Sequence, residues 1–143
     1  MIMEVIMKIS IDTDYCLRAL QELAYQDRDN PYSILKIATK RKIPHKYLEK
    51  LFRRLRIAGI VKSVKGRKGG YMLTRNPDKI TTRDIIKAVD GRTNIHNCND
   101  RKTEKLCEFV DDCSFTGFWD DFNTHINNFL DSYSLEDFLE KGK

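Results

Sequence analysis

The chain has 143 residues, a length that fits one compact domain and argues against a multidomain enzyme. Hydrophobic residues make up 41% and charged residues 33% of it, which excludes a disordered or collagen-like chain. No apolar stretch approaches the roughly 20 residues that span a bilayer. The apolar start, Met1–Met7, contains Glu4 and lacks a small-residue cleavage site, so we expect no signal peptide and a cytoplasmic protein.

The net charge of +5 is unevenly distributed. Residues 1–90 carry 20 Lys and Arg against 10 Asp and Glu, whereas residues 91–143 carry 6 against 11. Between Lys36 and Lys68, 13 basic residues accompany a single acidic residue, Glu49. This asymmetry favours a polyanion partner for the first half of the chain, with a merely solvated basic face as the simpler alternative.

Three amphipathic helices are predicted in the first 60 residues. The first covers Thr13–Tyr25, with Asp12 or Thr13 as its cap. After a turn at residues 27–31, Ser33 begins a second helix that ends near Lys42. The third starts after Pro44 and ends before Gly59; its predicted buried stripe consists of Tyr47, Leu48, Leu51, Phe52, Leu55 and Ile57 or Ala58.

A hairpin and a fourth helix follow. Residues 60–64 alternate like a half-buried strand, residues 65–70 form a basic, glycine-rich tip, and residues 71–74 form the returning strand. A helix capped by Thr81 or Thr82 is predicted to end at Gly91.

The remainder of the chain divides into two parts. Residues 92–112 are polar and lack a helical or strand period, as is typical of a functional or disordered loop. Apolar residues then recur at helical spacing from Phe115 to Tyr133, and Ser134 is predicted to cap a last short helix.

Three short helices followed by a hairpin with a basic tip occur in the order of a winged helix-turn-helix. A helix fits the major groove of DNA, where base edges can be distinguished. The glycine-rich tip does not fit a nucleotide-binding loop, because such loops join a strand to a helix. We therefore predict DNA contacts near the start of the third helix and at the hairpin tip, from His45, Lys46, Tyr47, Lys50, Lys65, Arg67 and Lys68.

The sequence resembles the bacterial Rrf-type repressor family, the group of IscR, NsrR and CymR. The resemblance is carried by residues 14–20, 37–38 and 47–61, and by the wing Ser63-Val64-Lys65-Gly66-Arg67-Lys68-Gly69-Gly70-Tyr71. That wing is similar to the family's S-x-R-G-x-x-G-G-Y, with Lys65 in place of the arginine, and residues 85–91 match the family's next helix.

The resemblance implies a mainly α fold with a small β-hairpin wing and a long C-terminal dimerisation helix. We expect a winged helix-turn-helix DNA-binding domain at 7–91, a cysteine-containing sensor loop at 92–114 and dimerisation helices at 115–143. A homodimer bound to a double-stranded DNA operator would follow, with the apolar helix as its interface.

Cys98, Cys107 and Cys113 lie on the sensor loop at 92–114, separated by eight and five residues. Disulfides are rare in the cytosol, so free thiols, a metal site and redox chemistry remain open. The resemblance favours an iron–sulfur cluster, 2Fe-2S or 4Fe-4S, because cluster-binding members use three cysteines in this loop. The first gap is longer than the family's usual five residues.

The resemblance also bears on a fourth ligand. IscR-like members use a histidine where this chain has Thr116, whereas NsrR-like members use an aspartate from the partner's first helix, and Asp14 matches that position. We therefore favour Asp14, whose alternative role is that of an ordinary residue at a helix N-terminus. Less favoured ligands are His96, Glu104 and Glu108. His125 is expected on the polar face of its helix, and Cys16 is expected to be a small buried hydrophobe.

These observations are compatible with three functions. The leading one is a DNA-binding regulator that senses iron–sulfur status, redox or nitric oxide through a cluster. The alternative is a cluster-free regulator of the same fold that responds to thiol oxidation or to a protein partner in cysteine metabolism. An enzyme with thiol or zinc chemistry is disfavoured, because the three histidines are scattered and no general base accompanies a cysteine.

Overall fold

A computed structural model describes residues 9–94, 109 and 112–141. Over these ranges the fold is mainly α-helical with one antiparallel hairpin, as predicted. No helix in them is long and apolar enough to cross a membrane. The elements are α1 (Ile11–Tyr25), α2 (Ile34–Arg41), α3 (His45–Ile57), β1 (Val61–Val64), β2 (Gly70–Leu73), a 3-10 helix (Pro77–Lys79), α4 (Thr82–Asp90), α5 (Thr116–Ser132) and α6 (Asp137–Lys141).

The core lies where the apolar sides of α1, α2 and α3 meet. The predicted stripe of α3 is confirmed for four fully buried residues, but it is wrong at its end, since Ile57 is 78% exposed. Gly59, at a φ of +79°, turns the chain there, and Ile60 takes the buried place instead. Other core residues are Cys16, Leu20, Leu23, Ile37, Leu48, Leu51, Phe52, Leu55, Ile80, Ile85 and Leu135.

The wing is attached to the connection between α1 and α2. Its strands pair from Val61 opposite Leu73 to Val64 opposite Gly70. Tyr32 exchanges two backbone hydrogen bonds with Tyr71, at N···O distances of 3.0 and 2.9 Å. A Cβ at Gly70 would lie 2.2 Å from the Tyr32 carbonyl oxygen, so this close pairing requires glycine.

The expected half-buried alternation of the first strand is wrong. Only Val61 is buried in β1, and Val64 is 39% exposed, because the strand leaves the helical core after its first residue. The hairpin therefore projects its tip into solvent.

Helix α1 begins at Ile11, two residues earlier than predicted, and neither predicted cap acts as one. The Thr13 hydroxyl donates instead to the Asp90 carboxylate at 2.6 Å, and the Ser10 hydroxyl donates to the same group at 2.7 Å. This long-range contact ties the start of α1 to the end of α4. By contrast, Thr81 caps α4 as predicted, with its side chain accepting from the backbone N–H of Asp84.

The C-terminal helices are anchored on the winged domain. The backbone N–H of Thr82 donates to the Tyr133 carbonyl at 2.9 Å, and that of Leu135 donates to the Ile80 carbonyl at 2.8 Å. The predicted cap at Ser134 is wrong, since α6 begins only at Asp137 and the Ser134 N–H instead donates to the Asp137 carboxylate at 2.7 Å. The C-terminal end of α5 is therefore held in a fixed position relative to α4.

Candidate nucleic-acid interface

Helix α3 buries one side and presents the other to solvent. Its fully buried residues, Leu48, Leu51, Phe52 and Leu55, leave Lys46, Lys50 and Arg53 exposed on a shared face, four and then three residues apart. The N-terminal end of a helix also carries a partial positive charge that favours phosphate. The exposed side of α3 can thus meet both bases and backbone.

The other two predicted contacts on α3 are in different surroundings. The Tyr47 ring is half-buried and packs edge-to-face on Tyr15, with ring centroids 5.8 Å apart. His45 lies with its Nε2 atom 3.4 Å from a Glu49 carboxylate oxygen. Tyr47 therefore packs α3 against α1, and His45 has the acidic side chain of Glu49 beside it.

The wing tip presents Lys65, Arg67 and Lys68, all exposed. The backbone N–H of Gly69 donates to the Gly66 carbonyl at 3.0 Å, which closes the turn. A Cβ at Gly69 would lie 2.2 Å from the Val64 carbonyl oxygen. Glycine is therefore needed to bring the three cations together on a tight tip.

Some basic residues of this region are neutralised within the chain. The Arg54 guanidinium lies 3.6 Å from the Asp12 carboxylate and donates to the Val89 carbonyl at 3.1 Å. Lys40 and Arg41 both pair with Glu22, at 2.6 and 3.1 Å. Counting charges along the sequence missed these acidic partners, because they come from α1 and meet the basic residues only through the packing of the helices.

The cysteine loop falls largely outside the described residues, and so do Cys98, Cys107, His96, Glu104 and Glu108. Cys113 is half-buried just before α5. Within the part of the chain that the structure describes, no three His, Cys, Asp or Glu side chains meet as a metal site.

The remaining candidate ligands are accessible to different degrees. Asp14 is half-exposed, and its carboxylate lies 3.1 Å from the Arg18 guanidinium, one helical turn away. His125 is exposed on α5, as expected for a polar-face residue. Cys16 is fully buried, as expected, and burial raises the pKa of its thiol to about 12. Cys16 is therefore a core residue rather than a ligand.

The start of the cysteine loop is anchored to two helices. Thr93 is 1% exposed, and its hydroxyl accepts a hydrogen bond from Arg83 of α4 at 3.3 Å. Its carbonyl accepts from Asn127 of α5 at 3.1 Å. Arg83 also pairs with Asp131 of α5 at 2.9 Å. No pattern in the sequence indicated this junction, which joins the loop, the winged domain and the C-terminal helix.

Residues 9–141 match the Rrf2 family, described as iron-dependent transcriptional regulators. The chain is 32% identical to the transcriptional regulator IscR of Xenorhabdus nematophila over 94% of its own length and 80% of that protein. Among solved structures it resembles CymR, the global cysteine regulator of B. subtilis, with a TM-score of 0.74 and 33% identity over 94% of this chain and 97% of that one. It also resembles T. potens IscR, with a TM-score of 0.67 and 30% identity over 95% and 88% of the two chains. The chain belongs to the Rrf2 family of winged-helix, DNA-binding transcriptional regulators and is not an enzyme.

Proposed function

We propose that this regulator acts as a homodimer that binds a double-stranded DNA operator with α3 and the wing tip, and senses its signal through a cysteine-bound iron–sulfur cluster. The observation that supports this proposal is a set of exposed cations on α3 and the wing, two elements that pack together where the Phe52 ring of α3 meets the Tyr71 ring of β2, with centroids 5.0 Å apart. The set consists of Lys46, Lys50, Arg53, Lys65, Arg67 and Lys68.

The two elements would divide the work of recognition. Helix α3 enters the major groove, where side chains near its start read base edges. Lys65, Arg67 and Lys68 contact phosphates or the adjacent minor groove and fix the register of the protein on the duplex. Lys50 and Arg53 extend the contact surface along α3.

The apolar side of α5 supports dimerisation. Phe115, Phe118 and Phe129 are each at least 60% exposed, and Phe122 is 39% exposed. The Phe118 and Phe122 rings stack with centroids 6.1 Å apart, so they form one continuous apolar patch. Such a patch is characteristic of an interaction surface, and a two-fold dimer would bury both copies of it against each other.

The cysteine loop supports the sensing part of the proposal. Cys98, Cys107 and Cys113 supply three thiolates, the ligands that iron–sulfur clusters prefer, and Asp14 of the partner would be a fourth ligand. Once bound, the cluster would supply a redox- and gas-sensitive group. Thr93 and Cys113 flank this loop, so a change in its conformation would act on α4 through Arg83 and on α5 through Asn127.

A cluster-free regulator is the second candidate, and its support is the similarity to the cysteine regulator of B. subtilis. In that case Cys98, Cys107 and Cys113 would respond as thiols, or a protein partner would bind the regulator. The winged domain and the DNA contacts would be the same in both candidates.

Anaerobic purification separates the two candidates. We expect protein with visible absorption and bound iron, and we expect Cys107→Ala to lose both because one thiolate ligand is removed. The matched control is Cys16→Ala, which removes a buried, protonated thiol and should retain the colour. The measurements are an absorption spectrum and an iron determination on both variants.

The same preparations test the link to DNA. Holo and apo protein should differ in affinity for an operator at matched salt concentration. A colourless, iron-free anaerobic preparation would favour the cluster-free candidate, and equal operator affinity of holo and apo protein would contradict sensing through the cluster.

A further inference from the structure

A buried carboxylate lies in the last turn of α1. The Glu22 side chain is 2% exposed. It lies 2.6 Å from the Lys40 ammonium and 3.1 Å from the Arg41 guanidinium, and it accepts a hydrogen bond from Gln26 at 3.2 Å. Both cations belong to the last turn of α2, so the carboxylate ties the end of α1 to the end of α2.

The position of this contact matters more than its strength. Burying a carboxylate costs several kcal/mol, and its ion pairs offset that cost without adding much net stability. A buried ion pair does, however, restrict the packing of the two helices to the geometry that satisfies it. Replacing a buried ion pair by apolar residues often leaves the stability of a protein unchanged or increases it. Stability therefore does not explain the presence of Glu22 here, and its geometry calls for attention.

The paired residues stand directly before the turn into the recognition helix. Lys42 follows at a φ of +55°, Ile43 is buried, and α3 begins at His45 after Pro44. Only three residues therefore separate the Glu22 contact from α3. A change in the orientation of the end of α2 would pass directly to the start of α3, where base contacts are made.

We propose that Glu22 is a positioning residue for DNA recognition, which acts through Lys40 and Arg41 to set the orientation of α3 and does not itself contact DNA. The inference rests on the proposed use of α3 in operator binding. The hydrogen bond to Glu22 also raises the pKa of Lys40, as expected for a cation held by a buried carboxylate. Lys40 and Arg41 are then internal partners rather than phosphate contacts.

The test compares two duplexes of equal length, an operator selected from a random-sequence pool by the wild-type protein and a mixed-sequence duplex. Glu22→Gln should weaken operator binding by about tenfold, which corresponds to ~1.4 kcal/mol. It should leave mixed-sequence binding within about twofold, because phosphate contacts supply that binding. The substitution makes the protein more positive, so charge alone predicts the opposite, namely tighter binding to both duplexes.

Two control variants isolate the positioning role. Asp78→Asn makes the same change in charge at an exposed residue and should leave the preference for the operator unchanged. Ile37→Val weakens the packing of α2 without altering a charge, so it reports the effect of lost stability alone. If Glu22→Gln and Ile37→Val reduce operator preference equally at equal melting temperature, Glu22 has only a structural role and the proposal is overturned.

A double variant tests the route through Lys40. The Lys40 side chain is 61% exposed, so Lys40→Gln should fold. If Lys40 acts only with Glu22, the double variant should bind the operator no more weakly than Glu22→Gln alone. Additive losses would instead make Lys40 an independent phosphate contact and overturn this assignment. A wild-type protein that enriches no sequence would overturn the proposed operator binding together with this inference, whereas an operator bound equally by Glu22→Gln would overturn this inference alone.

Discussion

Helices α3 and α5 use their two sides in opposite ways. Helix α3 buries its apolar residues in the core and exposes cations, whereas α5 exposes Phe118, Phe122 and Phe129 and buries Asn127 and Leu130. The apolar side of α3 is therefore satisfied within one chain, while much of the apolar side of α5 is not. We therefore expect the proposed DNA-binding surface of α3 to be complete in one subunit, and the α5 surface to require a second one.

The largest expected effect comes from breaking the α5 surface. Phe118→Asp should convert the proposed dimer to a monomer, because a carboxylate would be buried in an apolar interface. Operator affinity should fall by about a hundredfold or more, ~2.7 kcal/mol, because one subunit binds only one half-site. Molar mass by light scattering and an operator titration measure the two effects.

The control for this prediction is Leu35→Asp, a matched change at a 55% exposed residue of α2. It should leave the molar mass unchanged. A Phe118→Asp protein that remains dimeric would show that α5 is not the interface and would remove the contrast with α3.

A smaller effect is expected on α3. Lys50→Ala should weaken operator binding by roughly 1–3 kcal/mol if Lys50 contacts a base, and it should relax specificity at one position of the operator. The molar mass should stay that of the wild type, since α3 is complete within one chain. Binding titrations on the operator and on its single-base variants measure the change.

Lys79→Ala serves as the matched control, because Lys79 is also exposed but lies in the 3-10 helix before α4. An equal loss of affinity in both variants would mean that general charge, not the α3 surface, accounts for the effect of Lys50.

The smallest effect is expected at the wing tip. Arg67→Ala should reduce the salt dependence of binding to a mixed-sequence duplex by about 0.9 in the slope of log K against log salt, the amount for one phosphate contact. Titrations at several salt concentrations measure this slope. Lys87→Ala, an exposed change on α4, should leave the slope at its wild-type value, and an unchanged slope for Arg67→Ala would exclude the wing tip from the contact.

The sequence predicted the elements well where local rules dominate. Periodic apolar residues identified α1 to α5, and Gly59 and Thr81 marked an end and a start because their backbone and side-chain preferences act locally. The errors occur where distant residues intervene. Thr13 bonds Asp90 instead of capping α1, and Ile57 is exposed because the chain turns at Gly59 and Ile60 enters the core.

Part of the candidate site could likewise be predicted from the sequence, and part of it depended on distant residues. The excess of cations from α2 to the wing could be counted in the sequence, and the exposure of Lys46, Lys50 and the wing tip followed from the amphipathic pattern and the glycine-rich turn. The packing role of Tyr47 could not be foreseen, since it depends on the position of Tyr15.

Local periodicity and charge thus determined which helices form and which face of α3 is basic, because both depend on spacing along the chain. Only the tertiary structure decided which charges are free and which are paired. Glu22, Asp12 and Asp90 each find partners far away in sequence. Burial makes the contact decisive for Glu22, since a buried carboxylate requires a partner that no local pattern specifies.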